Sequence, residues 1–134
     1  MRYQPTGDQL LDTARTLLRD ELIPALPPEK RHVALMIANA MAIATRQLQA
    51  GEAPQQREVA ELRRMLSAEA GDDTAEGVSA RTQLAPLNRR LCERIRVGHA
   101  DSGPFHDAVW QHLRAVVRQE VAESNPKYLA GGAA

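Results

Sequence analysis

The sequence predicts an all-α protein, a single-domain bundle of about five helices around a central apolar helix. Apolar residues recur at helical spacing in five segments, and no segment shows the alternation of a half-buried strand. Eleven of the twelve residues from Val33 to Ala44 are apolar, with Asn39 as the exception. A helix that is apolar all round is enclosed by protein, so this segment is expected at the centre of the bundle.

The first two predicted helices form an antiparallel pair. Thr6 and Gln9 have the spacing of a capping box, and leucines then recur on one face from Gly7 to Ile23, where Pro24 ends helix one. Helix two begins at Pro28, carries the apolar run and ends before Gly51. The short linker between them predicts that they lie antiparallel.

The remaining three helices follow from weaker patterns. Helix three opens at Pro54 and has a narrow apolar stripe, so it is expected at the periphery. A solvated loop is predicted from Gly71 to Gly77. Helix four ends at Gly98, and Pro86 predicts that its regular part begins near Ala85. Helix five follows Pro104 and ends before Asn125 and Pro126.

Length and composition bound the organisation and the location. The 134 residues suit one domain, predicted over residues 1–129 with a flexible tail over 130–134. Seventeen basic and seventeen acidic residues give a net charge of zero, which argues against a nucleic-acid partner. Cys92 is the single cysteine, so no intrachain disulfide forms and the cytoplasm is expected. No signal peptide or membrane-spanning segment is predicted.

No pattern of catalytic or metal-ligating residues stands out. The four histidines show no HExxH motif and no pair spaced for a metal ion. Glu58 and Glu61 form a carboxylate pair, but their helix face is expected to be solvated. The chain is therefore predicted not to be an enzyme and to need neither a metal nor a cofactor.

Amides and arginines on the apolar helices are the candidate binding residues. Asn39 in the apolar run is either a structural polar link or part of a site, because an unpartnered buried amide costs about 1–3 kcal/mol. Asn88 and Asn125 also adjoin apolar stripes. Arg46 and Arg96 either lie on exposed, salt-bridged faces or bind an anionic ligand through their guanidinium groups.

Several short motifs resemble those of a small all-helical bacterial domain family of unknown function. They lie across most of the chain: Pro5 with Leu10-Leu11, residues 22–26 (LIPAL), residues 38–43 (ANAMAI) followed by Arg46, residues 87–91 (LNRRL), residues 95–98 (IRVG) and residues 125–129 (NPKYL). Gln47 departs from the family, in which an acidic residue often follows the arginine, and the loop over residues 71–77 is longer.

The resemblance implies an accessory role. Members of that family tend to be encoded beside aminoglycoside-phosphotransferase-like kinases and acyl-CoA dehydrogenases, which makes these enzymes the expected partners. The motif matches add Tyr128 to the candidate binding residues. The full set is Asn39, Arg46, Asn88, Arg96, Asn125 and Tyr128.

Three hypotheses about function follow. The leading one is a non-enzymatic accessory protein that binds a phosphotransferase-like kinase in acyl-CoA metabolism. The alternative is a helical bundle that holds an anionic small molecule such as an acyl-CoA. A homodimer is compatible with either function. Helix two is apolar nearly all round, so a second apolar surface on it can serve as the interface.

Overall fold

The computed structural model describes residues 4–66 and 78–131, and every regular element in these ranges is helical. The all-α prediction is therefore confirmed. The predicted loop over residues 71–77 and the last three residues of the predicted tail lie outside the described residues. The chain divides into two compact units, Met1–Gly51 and Glu52–Ala134. The single domain over residues 1–129 stays a prediction.

The first unit is a helical hairpin. Helix α1 spans Gly7–Leu17 and continues through a π-helical turn, Leu18–Leu22, into the short α2, Ile23–Ala25. Helix α3 spans Pro28–Ala50 and packs against α1. The start of α1 lies beside the end of α3, so the antiparallel arrangement predicted from the short linker is confirmed.

The two ends of the first helical segment show how the sequence sets its limits. The Thr6 backbone N–H donates to Oε1 of Gln9 at 2.9 Å, as the capping-box spacing predicts. The Thr6 hydroxyl donates to the Asp8 carboxylate, and this bond lowers the pKa of Asp8. At the other end the helix continues one residue beyond Pro24, to Ala25, and Arg31 donates to the carbonyls of Leu26 and Pro24 at 2.9 and 3.2 Å.

Helix α3 is not enclosed by protein on nearly all sides, so this part of the central-helix prediction is wrong. Its buried residues are Ala34, Ala38 and Thr45, which lie on one face. Val33 is 60% exposed and Asn39 is exposed as well. The physical reason is that α1 packs against one face of α3, and a single neighbouring helix leaves the remaining faces of a helix open.

The second unit contains the larger core. It consists of α4, Ala53–Leu66, α5, Ala80–Arg96, α6, Gly103–Ser124, and α7, Pro126–Ala130. Helix α4 packs against both α5 and α6. The buried apolar cluster consists of Val59, Leu62, Leu66, Ala80, Leu87, Leu91 and Val109. The expectation that helix three is peripheral is therefore wrong, because α4 supplies the middle of this cluster.

Helix α5 begins at Ala80, five residues before the predicted start. Ser79 caps it, since its hydroxyl accepts from the Thr82 backbone N–H at 3.3 Å. Pro86 lies inside the helix and is exposed. A proline at this position removes one helical hydrogen bond, and the cap together with the packing of α5 on α4 offsets that loss.

Candidate functional site

The two candidate residues of the first unit lie on α3. Asn39 and Arg46 are seven residues apart and so share one side of the helix. Asn39 is exposed, and its side chain makes no hydrogen bond within the described residues. Arg46 is half-buried. The buried structural polar link, one of the two expectations for Asn39, is therefore not observed in the part of the chain that the structure describes.

The candidate residues on α5 have different surroundings. Asn88 is half-buried, and its Nδ2 donates to Oε1 of Glu58 on α4 at 3.4 Å. Arg96 is the last residue of α5 and is exposed. Asn88 thus links two helices through a long hydrogen bond, whereas Arg96 occupies the C-terminal turn, where a cation interacts favourably with the helix dipole.

Asn125 and Tyr128 form the junction between α6 and α7. The Asn125 backbone N–H donates to the Val121 carbonyl at 2.7 Å, and the Tyr128 backbone N–H donates to the Asn125 carbonyl at 3.0 Å. Tyr128 is 73% exposed. The first of these hydrogen bonds closes the last turn of α6, and the second closes the first turn of α7. The backbone of Asn125 therefore joins the two helices.

The four candidates of the second unit lie on α5 and at the junction of α6 and α7. Within the described part of that unit, no side-chain hydrogen bond joins any two of them, which are Asn88, Arg96, Asn125 and Tyr128. Their assignment as binding residues stays a prediction.

The structure brings together a buried pair that the sequence analysis missed. His112 on α6 is 1% exposed, and its Nδ1 lies 3.3 Å from Oε2 of Glu61 on α4. The other carboxylate oxygen of Glu61 lies 3.7 Å from the Arg64 guanidinium. A buried polar group of this kind needs a hydrogen-bond partner, and Glu61 supplies it.

The signal that locates His112 is its spacing. It lies three residues after the buried Val109, on the face of α6 that packs against α4. The expectation that Glu58 and Glu61 lie on a solvated face is wrong, because both are half-buried and each bonds a side chain of another helix. These two carboxylates connect α4 to α5 and to α6 through side-chain contacts.

Two clefts open on the second unit. The larger has a volume of about 550 Å³ and lies along α4 beside the start of α5, where Arg63 donates to Gln83 at 2.9 Å. The smaller, of about 190 Å³, is lined by Arg90, Arg94 and His99 together with Leu66, Glu93 and Val97. Neither cleft is lined by any of the six candidate binding residues.

Exposed apolar side chains are the other notable surface feature. On α6, Trp110 is 57% exposed, and Leu113 and Val117 share its side of the helix. Within residues 4–66 and 78–131, no three metal-ligating side chains cluster, and no helix is long and apolar enough to cross a membrane.

The family model titled Domain of unknown function (DUF6285) matches residues 24–128. The match includes α3 to α6 and leaves α1 outside. No curated protein and no solved structure matches the chain. Since the matched residues make up most of the sequence, the chain belongs to this family of domains of unknown function.

Proposed function

We propose that this chain is a non-catalytic accessory protein that binds a protein partner through α6. The observation that carries the proposal is an exposed apolar stripe, Trp110, Leu113 and Val117, which we name the α6 stripe. The adjacent face of the helix, with Val109 and His112, is buried. The helix is therefore anchored to α4 on one face and presents apolar side chains on the face beside it.

The surroundings of Trp110 suit a binding residue. The carbonyl of Ala100 can only accept, so Nδ1 of His106 is the donor in their 2.8 Å hydrogen bond. This bond fixes the imidazole, which meets the Trp110 ring edge-on with 6.4 Å between ring centroids. Tryptophan is enriched among residues that dominate binding energy. A side chain held in place before binding loses less entropy when the partner arrives.

The resemblance supplies the expected partners. Accessory proteins encoded beside phosphotransferase-like kinases and acyl-CoA dehydrogenases are expected to bind one of these enzymes. We propose a phosphotransferase-like kinase as the partner. The α6 stripe supports a protein partner, because a row of large apolar side chains on a helix fits an apolar groove on another protein.

The test is recovery of the partner from the native host. A tagged chain purified under gentle conditions is expected to bring down a kinase or a dehydrogenase, identified by mass spectrometry. Trp110→Ser is expected to reduce that recovery at least about tenfold, the effect of losing one dominant interface residue. Tyr128→Ser, which removes the exposed aromatic ring that the sequence motifs place among the binding residues, tests the competing placement and is expected to have no effect.

Two results contradict the proposal. Recovery of neither enzyme contradicts the accessory role itself. Equal recovery with Trp110→Ser, or loss with Tyr128→Ser alone, contradicts the placement of the interface on α6 and favours the residues predicted from sequence.

A second candidate function is binding of an anionic small molecule such as an acyl-CoA. It is favoured by the smaller cleft, where Arg90, Arg94 and His99 adjoin the apolar Leu66 and Val97. Guanidinium groups suit carboxylate and phosphate ligands. A rise in Tm with coenzyme A thioesters, lost in Arg90→Gln, would support this function. No change in Tm across thioesters and dicarboxylates would contradict it.

A further inference from the structure

The two sides of the α1–α3 hairpin can be told apart by contacts between its ends. A Cβ at Gly7 would lie 3.5 Å from Cδ1 of Leu48. The next residue along each helix faces the other way, since the Asp8 carboxylate accepts from Nε2 of Gln49 at 3.5 Å. Gly7 and Leu48 therefore mark one side of the hairpin, and Asp8 and Gln49 mark the other.

Helical periodicity extends the Gly7–Leu48 side along both helices. Residues three, four, seven and eight positions apart lie on the same side of a helix. Steps of three or four residues forward from Gly7 on α1, and backward from Leu48 on α3, trace an apolar row that ends at the charged Lys30. We name it the hairpin apolar face: Leu10, Ala14, Leu17, Val33, Ile37, Ala40, Ala44 and Leu48.

The same count along the opposite side gives polar residues. Asp12 follows Asp8 by four residues on α1, and Arg46 and Asn39 precede Gln49 by three and ten residues on α3. One side of the hairpin is thus apolar, whereas the other, which we call the polar side, carries these charged and amide groups beside Ala42 and the 49% exposed Leu35. Solvent suits the polar side, whereas the apolar side is of the kind that a protein surface covers.

The hairpin apolar face presents a large uncovered area. Its five large side chains are all about half exposed: Leu10 56%, Leu17 49%, Val33 60%, Ile37 49% and Leu48 55%. Together with the three alanines, the face offers an apolar area on the order of 600 Å², the upper end of the range for the largest apolar patch on a monomer. Contiguous apolar patches above a few hundred Å² are uncommon on monomeric proteins and mark interaction surfaces.

We propose that this face binds the same face of a second copy, and that the two hairpins form a four-helix bundle. A face that meets its own copy must be self-complementary. The eight side chains of the hairpin apolar face are uncharged, and Lys30 on the same side of α3 lies beyond the end of the row, so no like charges meet at its centre. Ala40 and Ala44 lie between the bulkier ends of α3 and allow two helices to approach closely.

The area fits a stable dimer. Two faces of this size bury roughly 1,200 Å² in total, which reaches the lower bound of specific, stable interfaces. Antiparallel hairpins are also the usual building units of four-helix bundles. This interface does not include the α6 stripe. A result that contradicts the dimer therefore leaves the proposed binding of a partner unaffected, and the reverse also holds.

The first test is the mass of the full chain in solution. Light scattering after size exclusion, at micromolar concentration, is expected to give twice the mass of one chain. Ile37→Asp places a charge in the interface and is expected to raise the dimer dissociation constant at least about tenfold. Asn39→Asp introduces the same charge on the polar side and is expected to leave the dimer intact. Circular dichroism checks that both variants keep their helices.

The second test does not depend on a destabilising variant. In a Cys92→Ser background, Ala40→Cys is expected to form a disulfide between two copies under mild oxidation, whereas Asn39→Cys is not. A wild-type chain with the mass of one copy and no crosslink through position 40 overturns the proposal. In that case residues 52–134 or a different protein cover the face.

Discussion

The two units of this chain bury very different side chains, although the first contains the more apolar sequence. In the hairpin, the buried residues of α3 are two alanines and a threonine, while leucines, valine and isoleucine are exposed. In the second unit, Leu62, Leu66, Leu87 and Leu91 are buried in one cluster. Apolar composition therefore identifies helix faces that need to be covered. The number of neighbouring helices decides which of these faces become buried.

Helix count explains the difference. Helix α4 has α5 on one side and α6 on the other, so a narrow apolar stripe is enough to make Leu62 fully inaccessible. Helix α3 packs against α1 within its unit, and the alanines at their contact bring the helices close without enclosing large side chains. The hairpin interior also contains Arg15, whose Nε is buried without a hydrogen-bond partner in the described residues.

Truncation of a core leucine gives the largest expected effect and tests this contrast directly. Leu62 is 0% exposed, so Leu62→Ala removes a fully packed side chain and leaves a cavity. We expect the free energy of unfolding to fall by about 2–5 kcal/mol. Leu22→Ala makes the same chemical change in the first unit at an exposed position, and we expect a loss below about 1 kcal/mol. Urea denaturation measures both.

Equal losses of unfolding free energy in Leu62→Ala and Leu22→Ala would contradict this contrast between the two units. That result would mean that Leu22 is packed as tightly as Leu62, and that the first unit has a core of its own.

The polar contacts of α4 give the next effect. Glu61→Ala leaves the buried His112 without a partner, and we expect a loss of about 1–3 kcal/mol in the free energy of unfolding. Glu58→Ala is the matched control on the same helix. Its partner Asn88 is half-buried and the bond is longer, so we expect less than half that loss.

Glu61→Gln sharpens the interpretation of this pair. The amide oxygen of glutamine can still accept from Nδ1 of His112, so the variant is expected to recover most of the stability lost in Glu61→Ala. If Glu61→Gln loses as much as Glu61→Ala, the negative charge matters and the hydrogen bond alone does not hold the pair together.

The sequence predicted the helices well because their limits depend on local chemistry. The Thr6–Gln9 spacing, Pro28 and Gly98 all mark helix ends that the structure confirms to within a few residues. Pro86 misled the prediction of α5, because the cap at Ser79 starts the helix before the proline. Local signals of this kind carry no information about which helices become neighbours.

Burial and the candidate site depend on such neighbours, which is why sequence patterns predicted them less accurately. The run around Asn39 was expected to be enclosed and helix three to be peripheral, and both expectations are wrong. The pair of His112 and Glu61 joins residues 51 positions apart in the chain. Periodicity places His112 on the inward face of α6, but only the packing of α6 on α4 identifies its partner.

The smallest expected effect concerns Asn39 and separates the two sides of the hairpin. Its side chain is exposed on the polar side and makes no hydrogen bond in the described residues. Replacement by leucine therefore removes no contact, and leucine has the higher helix propensity by up to about 0.5 kcal/mol. We expect Asn39→Leu to change the free energy of unfolding by no more than about 0.5 kcal/mol, measured by chemical denaturation. A loss of about 1–3 kcal/mol would instead indicate a buried amide network, and α3 would then be the enclosed central helix that its composition predicts.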